Sequence, residues 1–302
     1  LDILEDTCGI GNRDAHVVEY DGCANFMKGA IETADKITTV SPTYASEILD
    51  PWFSHGLDGL LRQKQYKLCG ILNGIDVEAN NPATDPNIAQ NYDVDSFAEG
   101  KAACKAALQD RMGLNKDGSP IMAMVQRLVG NKGLDLVRSV AEGLLQQGIE
   151  LVVLGSGEAG YEAFFNELCA RHPGRVGVYI GFNTALAQQI YAGADIFLMP
   201  SRSEPCGLSQ MVACRYGTIP VVRETGGLRD SIHDSGDGYG NGFTFANYNA
   251  HELYEACWRA KEGYWKKDGW PILVRRAMEC DFSWANSAKS YEGLYNEVVN
   301  LW

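Results

Sequence analysis

The chain has 302 residues, 45% of them apolar and 22% charged, with a net charge of −13. That length allows one large domain or two small ones, with a sizeable core. The negative balance excludes nucleic acid or an anionic membrane as the main partner, because phosphate surfaces need a basic face; one local basic pocket remains compatible with it. In chain order, the spacing predicts a helix over 25–34 and a strand over 36–40. The first ~70 residues therefore hold too few elements for a typical domain. Residues 80–98, with Asn80-Asn81-Pro82 and Asp85-Pro86-Asn87, read as a polar loop. From Ile121 strands and helices alternate: strands over 121–125, 151–154, 176–180, 196–199 and 219–222, helices over 134–147, 161–171, 185–192 and 208–216. Buried apolar strands alternating with helices mean an α/β fold, a parallel sheet with helices on both faces. Residues 283–301 close the chain as an amphipathic helix, with Ala288, Tyr291, Leu294, Tyr295 and Val298 on one face.

Ligands of such sheets bind at the carboxyl ends of the strands. Arg127, Gly155, Phe182 and Glu204 each follow a strand end, so they are expected to line one crevice. Arg127 and Lys132 are two cations suited to stabilising charge that develops on a departing diphosphate; read alone, they are equally two charges on a solvated loop. Gly155-Ser156-Gly157 suits close approach of a nucleotide to bare backbone, or a plain tight turn. In Glu204-Pro205-Cys206-Gly207-Leu208 the carboxylate can accept sugar hydroxyls while the amides that follow meet phosphate; its other reading is a helix-capping acid. Cys206 is read as a buried thiol rather than a nucleophile, since no His lies nearby in sequence. Thr225-Gly226-Gly227 offers amides to phosphate or makes a Gly-rich turn. Phe182 sits where a base can stack, whereas Trp258, Trp265 and Trp284 read as packing. Nine scattered cysteines without a C-x-x-C pair suit a reduced, intracellular chain, and the five His residues show no metal spacing. No apolar run reaches the ~18 residues of a membrane helix. The first residue is Leu1, with no signal-peptide pattern after it, so the chain reads as a processed or partial product.

Taken together these residues resemble the bacterial glycogen synthase and plant starch synthase family. The matching runs are Ala34-Asp35-Lys36-Ile37-Thr38-Thr39-Val40-Ser41-Pro42, Leu72-Asn73-Gly74-Ile75-Asp76, Arg127 with Lys132-Gly133-Leu134-Asp135, and Leu154-Gly155-Ser156-Gly157. Ala192-Gly193-Ala194-Asp195, Glu204-Pro205-Cys206-Gly207-Leu208, Thr225-Gly226-Gly227-Leu228 and Asp281-Phe282-Ser283-Trp284 follow in order. The resemblance implies a retaining glucosyltransferase of the two-domain GT-B fold, moving glucose from ADP-glucose to the non-reducing end of an α-1,4-glucan with neither metal nor cofactor. It implies that Arg127 and Lys132 bind the donor diphosphate and that Glu204 holds the glucose. Cys206, Gly207 and Leu208 would meet sugar and phosphate, Phe182 the base, Asn73 the donor sugar, and Thr225 and Gly226 a second phosphate-facing turn. Many related glycosyltransferases carry a second glutamate eight residues after the first; here that position is Val212, which suits this family.

The family's N-terminal lysine-glycine-glycine loop and its histidine at the transferred sugar have no match here. Residues 1–70 are therefore expected to be the end of an acceptor-side domain, 71–282 the Rossmann-like donor domain, and 283–302 a helix crossing back to the first. The chain alone is expected to be inactive, and the face left by the missing domain to favour association. A bacterial cytoplasm or a plastid stroma would suit it. The competing readings are a truncated homologue that binds nucleotide or glucan without transfer, and a UDP-glucose-dependent retaining glycosyltransferase.

Overall fold

The computed structural model describes residues 4–11 and 13–300. Its centre is a sheet of six parallel strands: β5 Ile121–Val125, β6 Glu150–Gly155, β7 Val176–Ile180, β8 Ile196–Met199, β9 Ile219–Arg223 and β10 Phe243–Phe245. The first four strands of the chain lie outside it. β1 (Glu19–Tyr20) and β2 (Cys23–Ala24) form a small antiparallel pair, and β3 (Ile37–Thr39) and β4 (Leu68–Gly70) a parallel pair. The strand order of the large sheet is β10-β9-β8-β5-β6-β7, every neighbour parallel. β5 is central, with later strands added first on one side and then on the other. The order therefore reverses between β5 and β8, and the loops leaving these two strands open onto one crevice.

The strands are nearly continuous apolar runs because both faces are covered. In β5, β6 and β8 almost every side chain is buried, and Leu134, Val137, Ile190, Met211 and Leu253 from the flanking helices close over them. The predicted strands at 121–125, 176–180 and 196–199 have those bounds, and the four predicted helices between 134 and 216 are displaced at their ends by one or two residues.

Three departures have physical reasons. The helix Phe97–Met112 carries apolar groups all around an alanine-rich surface, so no stripe marks it. β10 is three residues long and follows a Gly-rich loop, too short for a periodicity. The polar 80–98 segment lacks strand or helix until Phe97 but is packed rather than solvated: Tyr92 and Asp85 are buried, the Tyr92 hydroxyl donates to the Tyr216 carbonyl (2.8 Å), and the Tyr216 hydroxyl donates to Asp85 Oδ2 (2.6 Å). Burial and that carboxylate hold the Tyr216 phenol far above its usual range.

A second, smaller apolar cluster of Ile31, Leu60 and Leu61 sits under the first strands and helices. The last helix, Trp284–Val299, runs back towards β3 and β4: Lys36 pairs with Glu297 at 2.9 Å, and the Ser287 hydroxyl donates to the Leu72 carbonyl. Of its predicted apolar face, Tyr291, Leu294 and Val298 are half-buried while Ala288 and Tyr295 stay exposed.

Candidate functional site

The loops after β5 and β8 meet at the point where strand order reverses. Lys132 lies in a 3-10 turn, Gly130–Lys132, and Glu204 in the loop before the helix Ser209–Arg215. Their side chains pair at 2.5 Å, Lys132 Nζ to Glu204 Oε2, with little solvent access to either. The Ser201 hydroxyl donates to the same oxygen (2.9 Å), and the Arg202 amide donates to the Asn131 carbonyl (2.9 Å), stitching the two loops together. Gly133 makes this approach possible. Its φ is +74°, and a Cβ there would sit 2.0 Å from the Pro200 carbonyl oxygen. Arg127 stands exposed just past the end of β5.

Gly155 ends β6, and its bare backbone also serves packing between two loops. A Cβ on Gly155 would lie 1.9 Å from the Gln126 carbonyl oxygen, and one on Gly157 2.4 Å from that of Leu128. The glycines thus let the loop after β6 lie against the loop carrying Arg127. Leu128 donates to Ser156 (2.9 Å), and Glu158 caps the Gly130 amide (2.9 Å). Phe182 follows β7 and is 91% exposed, the most exposed large apolar side chain of those described. The next residue, Asn183, caps the helix Thr184–Gly193. An aromatic ring held clear of the protein beside a ligand edge is suited to stacking.

Cys206 is buried. Burial pushes its thiol up, the N–H of Asn73 pulling the other way, so it is not poised as a nucleophile. That contact also places Asn73 beside the Glu204 loop. Gly207 is half-buried, and Leu208 is 46% exposed at the start of the helix. Gln210, fully buried and assigned no role by sequence, turns this loop: its Nε2 donates to the carbonyls of Cys206 (3.2 Å) and Gly207 (3.0 Å) and to the Ser231 hydroxyl (3.0 Å). Holding the carbonyls inward leaves the outer side of the loop to its amides.

Thr225 and Gly226, expected in a second phosphate-facing turn, are engaged by a carboxylate of the protein itself. Both are buried, and the Thr225 hydroxyl (2.8 Å) and Gly226 amide (3.1 Å) donate to Glu47 Oε1, from the helix Pro42–Glu47. Glu47 is a residue that sequence reasoning missed, since no motif marks it as a partner of a segment 178 positions away. Arg223, at the end of β9, completes the support: its Nε donates to the Ser201 carbonyl (2.9 Å) and its Nη2 to that of Arg202. Tyr248 lies under both Arg202 and Arg223, its phenol pushed up to about 12 by burial and by Asp135.

No group of three or more His, Cys, Asp or Glu side chains is arranged to hold a metal among the described residues, and among them no helix is long and apolar enough to cross a membrane. The crevice instead offers cations, one carboxylate, loop amides and an exposed ring at the carboxyl edge of the sheet.

The family model "Glycosyl transferases group 1" matches residues 108–267, more than half of the chain, and "Starch synthase catalytic domain" matches residues 2–63. The chain is 48% identical over 303 aligned residues to a glycogen synthase of Bacillus cereus, 99% of this chain and 63% of that protein. It is 49% identical to a glycogen synthase of Geobacillus thermodenitrificans, over 98% of this chain and 62% of that one. The chain thus spans less than two thirds of the length of these relatives. Among solved structures it is similar to the catalytic domain of starch synthase IV from Arabidopsis thaliana, bound to ADP and acarbose: TM-score 0.89 and 36% identity, over 96% of this chain and 61% of that one. A sucrose-phosphate synthase from Thermosynechococcus elongatus shares the fold at TM-score 0.62 and 18% identity, over 97% of this chain and 67% of that one. The six-stranded sheet is the Rossmann-like half of a GT-B architecture, and the chain belongs to the group 1 glycosyl transferases.

Proposed function

We propose that these residues are the donor-nucleotide part of a glycogen or starch synthase, which transfers glucose from ADP-glucose to the end of an α-1,4-glucan. The observation that carries the reading is the junction of Lys132 and Glu204 at the strand-order reversal, with Arg127 at the same edge. Glycogen synthases among the relatives, and a starch synthase structure bound to ADP and acarbose, support the donor and acceptor classes.

In this reading Arg127 and Lys132 take the diphosphate. As the bond from the sugar anomeric carbon to the diphosphate oxygen breaks, charge accumulates on that oxygen, and fixed cations in a partly desolvated crevice stabilise it. Lys132 can serve phosphate and Glu204 together because an ammonium has three donors. Glu204, held by Lys132 and Ser201, accepts hydroxyls of the glucose and keeps it oriented. Phe182 stacks on the base, Asn73 and the Cys206–Leu208 loop face the sugar and phosphate, and Thr225 and Gly226 act from behind that loop. No metal or cofactor is part of the scheme. Residues 1–70 belong to the acceptor side, 71–282 form the donor domain, and 283–302 the returning helix. An open crevice admits water, so these 302 residues are expected to hold nucleotide without transferring sugar.

The test is glucosyl transfer from ADP-glucose to glycogen, by this chain alone and by this chain joined to the N-terminal third of the Bacillus cereus relative. The reading predicts transfer only by the joined protein. Full activity of the chain alone would refute the need for a second wall, and an inert but folded joined protein would refute the synthase reading.

A further inference from the structure

We propose that Glu47 is a positioning residue for the loop that carries Glu204: a strut from the N-terminal part of the chain that fixes the donor loop from behind. Glu47 lies within the part matching the starch synthase catalytic domain, while the loop lies within the part matching group 1 glycosyl transferases. The two are otherwise far apart in sequence.

The strut works through two arms. In the first, Glu47 Oε1 accepts from the Thr225 hydroxyl and the Gly226 amide. The next amide, Gly227, donates to the carbonyls of Glu204 (3.1 Å) and Pro205 (3.2 Å). The fit leaves no slack: a Cβ on Gly226 would lie 2.0 Å from the Glu204 carbonyl oxygen, and one on Gly227 2.1 Å from that of Cys206. Turn and loop must therefore move as one body. In the second arm, Arg223, two residues before Thr225, grips the carbonyls of Ser201 and Arg202 at the other end of the loop. Both ends of the Glu204 loop are thus tied to the segment from Arg223 to Gly227, which Glu47 caps. Glu47 Oε2 is buried and meets no hydrogen-bond donor among the described residues. A buried oxygen without a donor is costly.

A separate contact joins the helix Pro42–Glu47 to the helix Gly226–Ser231 without touching the loop. Thr43 donates through its amide (3.0 Å) and hydroxyl (2.5 Å) to Asp230. It supplies the control for simple docking.

The loop itself is read by hydrogen–deuterium exchange of the amides of Glu204 and residues 206–210 in the 302-residue chain, and the site by calorimetric titration with ADP. Only the second readout rests on the proposed function. Glu47→Ala is expected to speed exchange of the Cys206–Leu208 amides and to weaken ADP about tenfold, the scale of a lost charge-assisted hydrogen bond. Glu47→Gln keeps the Oε1 acceptor and is expected to restore slow exchange. Thr43→Val is expected to lower the melting temperature while leaving loop exchange and ADP affinity unchanged. Thr225→Val, which removes one donor and keeps the shape, gives a smaller version of the Glu47→Ala result and stands in for it if that variant does not fold. Loop exchange unchanged in Glu47→Ala, or quickened equally by Thr43→Val, would overturn the proposal. If the wild-type chain binds no ADP yet the exchange pattern holds, the nucleotide reading fails and the strut stands.

Discussion

Glu204 enters the crevice with its charge already matched by Lys132 and a hydroxyl from Ser201. Replacing it separates its two roles. In Glu204→Gln the lysine is released towards phosphate, so ADP affinity in this chain should stay within about threefold of wild type. Glucosyl transfer by the joined protein should fall about 100-fold, the usual scale for one lost polar group at a reacting centre. Titration and the transfer assay read the two separately. A second prediction concerns Glu150, buried at the start of β6, its carboxyl pushed up from an ordinary 4.5 to about 7 by burial. A raised carboxyl pKa means that the folded state holds the proton more tightly than the unfolded chain. The stability this brings is present below about pH 4.5 and is lost as pH rises through about 7. Glu150→Gln, which cannot ionise, should therefore be more stable than wild type at pH 8 by roughly 1–3 kcal/mol and nearly equal to it at pH 5. Thermal melts at the two pH values decide it; an equal shift at both would contradict the assignment. The placement of Arg127, Lys132 and Glu204 after strand ends was legible from the alternation of elements. The supports Ser201, Gln210 and Glu47 were not, because a positioning side chain carries no motif of its own and is defined by what it touches.

At the scale of elements, the alternating strands from Ile121 to Arg223 were legible because a strand buried on both faces must be apolar throughout. Helix 97–112 and β10 were not, one lacking a stripe and the other length. The 80–98 loop shows the limit of composition. Its polar residues are there to be bonded internally, Asp85 to Tyr216 for one. The loop after β5 gives a sharp element-level prediction. Gly133→Ala places a methyl 2.0 Å from the Pro200 carbonyl oxygen at a φ of +74°. The two loops must then part, at a cost of about 2 kcal/mol or more, and Lys132 must leave Glu204. Denaturant unfolding together with ADP titration should show both losses; a variant as stable as wild type with full affinity would mean that the loops are not held by this contact.

For the whole molecule, the strand-order reversal is what converts separate motifs into a site, and it cannot be read from any one of them. Sequence alternation specifies a parallel sheet, but the order β10-β9-β8-β5-β6-β7 decides which loops meet. The N-terminal part was least legible, since its short strands and helices carry weak periodicity and its core is small. It also exposes large apolar groups, Trp52 at 70% and Tyr66 at 76%, with Tyr295 at 63% and Val299 at 71% on the last helix. The relatives are longer than this chain by more than a third of their own length. We expect the isolated chain to associate as its concentration rises, while the joined protein stays smaller in units of its own mass. Sedimentation velocity across a concentration series measures this, and a strictly monomeric chain at every concentration would contradict it.

The central claim, that these residues alone build a donor-nucleotide site, is tested most directly by calorimetric titration of the chain with ADP, with UDP and Arg127→Ala as controls. The account predicts saturable ADP binding that weakens at least about tenfold in Arg127→Ala, the scale of a lost charge-assisted contact to phosphate. A folded chain that binds neither nucleotide, or binds ADP equally well without Arg127, would contradict it.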